Sequence, residues 1–174
     1  MAFPFDPKEP LPVPLSTDAA ADVLEQRRAL LPEWIDASRA LLVRLGELSR
    51  WEPPELLLES PSHGLMHMST ISSSGDLTPF EMIGYQPFDL YLTVYCAEYM
   101  FRDVDGTWVL DEDSASPTFG RFLIGGYDGD ATVDVYAAVT AFLNEPEGRH
   151  LPSLLESLQE AMGAPTGVHD TSYP

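Results

Sequence analysis

The fifteen-residue segment Phe88–Arg102, FDLYLTVYCAEYMFR, constrains the fold of this chain more than any other. It is rich in aromatic and β-branched side chains, which are typical of β-strands. As a strand, the segment would alternate its side chains between two faces. The apolar face is predicted to pack in the core and consists of Leu90, Leu92, Val94 and Cys96. The opposite face carries a row of tyrosines, Tyr91, Tyr95 and Tyr99.

A turn that contains glycine, Asp103–Gly106, follows this segment and predicts a hairpin, since glycine supplies the positive φ that tight turns need. The returning strand is predicted over Thr107–Asp111. Alternating or apolar runs predict further strands at Leu65–Ser72, Phe80–Gln86 and Phe119–Ile124. We therefore expect an antiparallel β-meander of about four to six strands.

Helical patterns flank these strands on both sides. Before them, Pro32 disfavours helix in the preceding residue, so one helix is predicted to end there and a second to run from Pro32 to about Arg50. After them, a third helix is predicted to begin at Asp130 and a fourth to run from Pro152 to Gly163. The expected fold class is α+β, with the meander packed against N-terminal and C-terminal helix pairs.

The chain of 174 residues is long enough for one domain with a real core, which we place at residues 17–163. Five prolines in the first fifteen residues predict an extended arm over residues 1–16, and residues 164–174 are expected to form a weakly ordered tail. No stretch approaches the roughly 20 apolar residues of a membrane span, and no secretory signal is visible. The single cysteine, Cys96, excludes an internal disulfide, and a cytoplasmic location is expected by default.

Charge is spread unevenly along the chain. Residues 1–50 carry eight acidic and six basic side chains, whereas residues 51–174 carry twenty acidic and only three basic ones, within a formal net charge of −19. A field of that sign repels nucleic acid and anionic lipid and attracts basic surfaces. We therefore expect a basic protein partner, with no direct binding to nucleic acid or membrane.

The predicted partner-binding surface combines the tyrosine row with the carboxylates around the hairpin. Tyrosine offers a large contact area at low entropic cost, and acidic side chains steer a basic partner. The residues proposed for this surface are Tyr91, Tyr95, Tyr99, Asp103, Asp105, Trp108, Asp111, Glu112 and Asp113. Two alternatives stay open: helices could cover the tyrosines, and solvent and salt could offset the repulsion between the carboxylates.

Patterns that carry chemistry are weak. The Asp103–Gly106 segment departs from the EF-hand calcium loop because its glycine comes too early. His63 and His67 are four residues apart, but no glutamate follows His63 as it does in a zincin motif. Cys96 lies among apolar residues, which raise rather than lower the pKa of a thiol. The glycine-rich stretch Gly120–Gly129 lacks a phosphate-loop lysine. No catalytic residue, metal or cofactor is predicted.

Three functions follow as hypotheses. The first is a small acidic binding protein, in a sharper form an inhibitor or immunity-type protein that blocks a basic partner such as a nuclease. The second is a small-ligand-binding module or enzyme with a pocket between the sheet and the helices. The third is a homodimeric structural or chaperone-like subunit that buries the tyrosine face.

Overall fold

The fold is that of a computed structural model, which describes residues 13–16, 18, 21–74, 88–103, 105–126, 131–145 and 149–164. The described chain is mostly helical and contains one two-stranded antiparallel sheet. Its elements are α1 (Ala21–Leu48), α2 (Leu56–Glu59), a 3-10 helix (Pro61–Gly64), α3 (Leu65–Ser73), α4 (Phe88–Asp103), β1 (Thr107–Leu110), β2 (Phe122–Gly125), α5 (Val135–Leu143) and α6 (Leu151–Ala161). The predicted meander of four to six strands is therefore wrong.

The main correction concerns α4, which is a sixteen-residue helix and not a strand. Every residue from Leu90 to Met100 is buried, and α1, α5, α6 and the 3-10 helix pack around it. A segment that is covered on all sides is apolar all round, so its sequence shows neither the helical nor the strand period clearly. Leu65–Ser72, also predicted as a strand, lies within helix α3.

The described N-terminal helix is continuous, and the predicted break at Pro32 is wrong. Helix α1 runs from Ala21 to Leu48 with Pro32 inside it. An internal proline removes one backbone hydrogen bond and costs about 3 kcal/mol. The apolar stripe that follows the proline offsets this cost, because Trp34, Leu41, Leu42 and Leu45 are all buried in the hydrophobic core.

In the predicted hairpin, the returning strand β1 is correct, but the strand with which it was paired is wrong. Strand β1 pairs antiparallel with β2, with Trp108 opposite Ile124, whereas the sequence paired it with the segment that forms α4. Asp105, not Gly106, takes the positive φ in the connection from α4 to β1. Val133 adds one bridge to Ile124 before α5 begins.

The C-terminal helix pair is confirmed as α5 and α6. Helix α5 starts one turn later than predicted, with Asp134 as the N-cap whose side chain accepts a hydrogen bond from the Ala137 amide, and Asn144 ends it. The predicted strand at 80–86, the cap at Asp130, the first twelve residues of the arm and the tail beyond Ala164 lie outside the described residues. None of the helices in the described ranges is long and apolar enough to cross a membrane.

Candidate functional site

The tyrosine row is part of the core. Tyr91, Tyr95 and Tyr99 are 0%, 0% and 1% exposed, because a spacing of four places them along one side of a helix that is covered all round. The Tyr95 hydroxyl donates a hydrogen bond of 2.8 Å to the Pro61 carbonyl oxygen. Burial raises the pKa of both Tyr95 and Tyr99. The exposed aromatic platform predicted from the sequence is therefore wrong, and the face that a homodimer would cover is already covered within the chain.

The five predicted carboxylates lie at opposite ends of β1. Asp103 and Asp105 are exposed before the strand begins, and the other three follow its last residue. A strand of four residues spans about 13 Å, so these two groups do not form one cluster. Trp108, predicted to lie between them at the surface, is only 4% exposed. We call Asp111, Glu112 and Asp113 the acidic loop.

The acidic loop is held by hydrogen bonds of its own. Asp111 accepts a hydrogen bond of 2.6 Å from the Thr118 hydroxyl and one of 3.1 Å from the Asp113 amide. Burial by itself would raise the pKa of Asp111, but hydrogen bonds to the carboxylate lower it. The Asp113 side chain accepts a hydrogen bond from the Ala115 amide, so the loop presents its charges in a defined conformation.

Helix α1 and the N-terminal arm support this loop. Arg28 forms a salt bridge of 2.8 Å with Glu112 and also pairs with Glu25, which lowers the pKa of Glu112. Arg27 donates to the carbonyl oxygens of Gly120 and Val13. The two arginines therefore tie the loop and the arm to α1.

Most arginines in the described chain are engaged by nearby groups of the protein. Salt bridges join Arg44 to Glu47, Arg102 to Glu98 and Arg121 to Asp134, and Arg149 donates to the carbonyl oxygens of Glu145 and Ser72. The carboxylates are far more numerous and occur on α1, α4, α6 and the connecting loops. The negative surplus is thus spread over several elements of the fold, and the acidic loop contributes three consecutive carboxylates to it.

A pocket whose charged lining residues were not predicted from the sequence lies between α1, α4 and the start of β1. Its volume is about 240 Å³, and its charged lining residues are Arg39, Glu98 and Arg102, with apolar walls from Ile35, Phe101 and Trp108. We call it the Arg39–Glu98 pocket. One signal in the sequence could have indicated it, because Glu98 and Arg102 are four apart, the spacing at which opposite charges meet on a helix.

Of the three charged side chains that line the pocket, the one that is buried is Glu98. Its side chain is 8% exposed, and its Oε1 lies 3.3 Å from Nε of Arg102. Burial raises the pKa of Glu98, although the positive charges of Arg102 and Arg39 oppose the change. The pocket therefore holds a carboxyl group that takes up a proton more readily than an exposed glutamate does.

This gives a prediction about stability and pH. Because the pKa of Glu98 is higher in the folded than in the unfolded state, protonation of Glu98 favours folding as the pH falls toward the ordinary glutamate range. The free energy of unfolding of the wild type minus that of Glu98→Gln is therefore expected to be larger at pH 5 than at pH 7. Urea unfolding of both proteins at the two pH values measures it, with the exposed Glu156→Gln as control. A difference that stays constant or decreases would contradict the prediction.

Metal ligands do not gather in the described part of the chain, where no group of three or more His, Cys, Asp or Glu side chains could hold an ion. His63 bonds to the Ser60 hydroxyl, and the His67 ring packs edge-on against Trp51 at 6.0 Å. Asp128 and Asp130 lie outside the described residues. Cys96 is buried, and burial raises its pKa.

Comparisons of the chain with protein families, with curated proteins and with solved structures gave no match.

Proposed function

We propose that this protein is a small acidic binding protein that associates with a basic protein partner through a surface that includes the acidic loop. The observation that carries the proposal is the ordered loop itself, in which three consecutive carboxylates are held by Thr118, Arg28 and backbone amides. A surface already ordered before binding loses less conformational entropy when a partner docks. The net charge of −19 adds long-range attraction for a basic partner.

The buried tyrosines change how such a partner would be recognised. Among the described residues, the large apolar side chains that stand exposed are Val13 and Met66, so the surface has no aromatic anchor there. Recognition then depends chiefly on charge, which governs association rate and specificity more than affinity. The sharper form of the proposal is an inhibitor or immunity-type protein whose carboxylates occupy the phosphate-binding surface of a basic enzyme such as a nuclease.

The test begins with partners recovered on the tagged full-length protein at low salt and identified by mass spectrometry. Association of each purified partner is then measured at about 50 and 300 mM NaCl. We expect a basic partner whose association rate constant falls steeply with salt. Recovery of neutral or acidic partners only, or association that does not respond to salt, would contradict the proposal.

A pair of matched variants locates the surface. Glu112→Gln with Asp113→Asn removes two charges from the acidic loop, and Glu156→Gln with Glu160→Gln removes two exposed charges from α6. We expect the first pair to lower the association rate constant about fivefold or more, and the second to change it much less. Equal effects would assign the attraction to net charge and not to the loop.

The second candidate is a small-ligand-binding module, and the Arg39–Glu98 pocket favours it. The pocket lies between the helices and the sheet, and three charged groups, one of them a buried carboxyl group, converge on it beside apolar side chains. The convergence of a few polar groups in a concave site is a feature of ligand sites in general. An enzyme with its chemistry at this pocket belongs to the same candidate, with Glu98 as its titratable group.

A further inference from the structure

The Arg39–Glu98 pocket brings both signs of charge to one small cavity. Glu98 and Arg102 lie one turn apart on α4, and Arg39 reaches the pocket from α1. Arg102 is partly occupied, since it donates to Glu98 and to the Leu58 carbonyl oxygen at 3.3 Å each. Arg39, in contrast, makes no hydrogen bond or salt bridge with any part of the chain that the structure describes.

Within the described residues, the charge of Arg39 acts on Glu98 while its guanidinium donors stay open, in a chain with 28 acidic and 9 basic side chains. Its guanidinium fork can bind a carboxylate through two parallel hydrogen bonds. Glu98 offers the complementary group, a carboxyl acceptor whose side chain is shielded from bulk water. The two therefore present a positive and a negative binding point on facing helices.

We propose that the Arg39–Glu98 pocket binds a small zwitterion of the amino-acid type, with its ammonium group at Glu98 and its carboxylate at Arg39. The apolar part of the ligand packs on Phe101, Trp108 and Ile35. This site lies apart from the acidic loop, so the proposal does not depend on a basic protein partner. It rests on the second candidate function, ligand binding at this pocket.

A ligand with only one charge fits the same groups less well. A simple carboxylate at Arg39 would be attracted by Arg102 but repelled by Glu98, whose hydrogen-bond capacity it would not use. A simple amine at Glu98 would be repelled by Arg39 and Arg102 and would offer Arg39 no acceptor. A zwitterion meets both charges and adds no net charge to the cavity. The volume of about 240 Å³ is below the roughly 300–1,000 Å³ of pockets for drug-sized ligands, which also points to a small molecule.

Three probes with the same aromatic body separate these possibilities: L-phenylalanine, 2-phenylethylamine and 3-phenylpropanoate, with L-leucine as a smaller zwitterion. Titration calorimetry with the full-length protein at pH 7 gives their affinities. We expect one of the two zwitterions to bind, and at least tenfold more tightly than either singly charged probe. Absence of binding by both zwitterions, or equal or tighter binding of the amine or the carboxylate, would overturn the proposal.

Variants assign the two charges. Arg39→Gln changes an exposed side chain and is expected to lower zwitterion affinity at least tenfold, whereas Arg44→Gln, on the same helix but outside the pocket lining, leaves it unchanged. Glu98→Gln is expected to lower it by a similar factor, provided that its circular dichroism matches that of the wild type. If zwitterion binding is found but Arg39→Gln has no effect, ligand binding by the protein stands and its assignment to this pocket is overturned.

Discussion

Replacing Trp34 with alanine is expected to lower the free energy of unfolding by about 3–5 kcal/mol, the usual cost of deleting a large aromatic side chain from a core. Trp34 is 0% exposed. Its ring packs edge-on against Trp108 at 5.1 Å and lies 6.0 Å from Phe122. Trp108 in turn packs edge-on against Phe101 at 5.8 Å, so the indole joins α1 to both strands and, through Trp108, to α4.

Urea unfolding followed by far-ultraviolet circular dichroism measures this loss. Trp51→Ala is the matched control, because Trp51 is only half-buried and its removal should cost less than half as much. Since whole domains are stable by only about 5–15 kcal/mol, the Trp34 variant should also melt at a clearly lower temperature. A loss below about 1 kcal/mol would mean that α1 does not pack on the hairpin as described.

The second prediction concerns Gly46→Ala, which is expected to lower the free energy of unfolding where a glycine-to-alanine change in a helix usually raises it. Replacing a glycine inside a helix with alanine ordinarily stabilises a protein by about 0.5–1 kcal/mol. Gly46 lies inside α1, but a Cβ there would come within 2.1 Å of the Pro54 carbonyl oxygen and 2.9 Å of its carbonyl carbon. These are backbone atoms, so the 51–54 segment would have to move. We expect Gly46→Ala to destabilise the protein by about 1–3 kcal/mol, as overpacking does.

Asp36→Ala provides the control for Gly46→Ala, since it places alanine at an exposed position of the same helix and should change stability by no more than about 0.5 kcal/mol. The free energies of unfolding of both variants are compared with that of the wild type. A stabilising Gly46→Ala would show that α1 and the Pro54 segment are not in close contact, and that the glycine only weakens the helix.

The candidate sites were predicted unequally. The acids of the loop at 111–113 could be named from the sequence because they are consecutive, polar and next to a turn. The separation of Asp103 and Asp105 from them could not, since it depends on where β1 begins and ends. Arg39 and Glu98 lie 59 positions apart in the chain, and only the packing of α1 on α4 brings them to one pocket.

The sequence by itself determined the elements with one polar and one apolar side. The apolar stripe from Trp34 to Leu45, strand β1 and helices α5 and α6 were all predicted, because solvent on one side and core on the other impose a readable period. The tertiary structure decided the state of Phe88–Asp103, whose aromatic and β-branched residues favour a strand while its sixteen residues exceed the usual strand length of about 3–10. Surrounded by other helices, this segment has no exposed side to reveal its period, and only its neighbours determine that it is helical and that its tyrosines are buried.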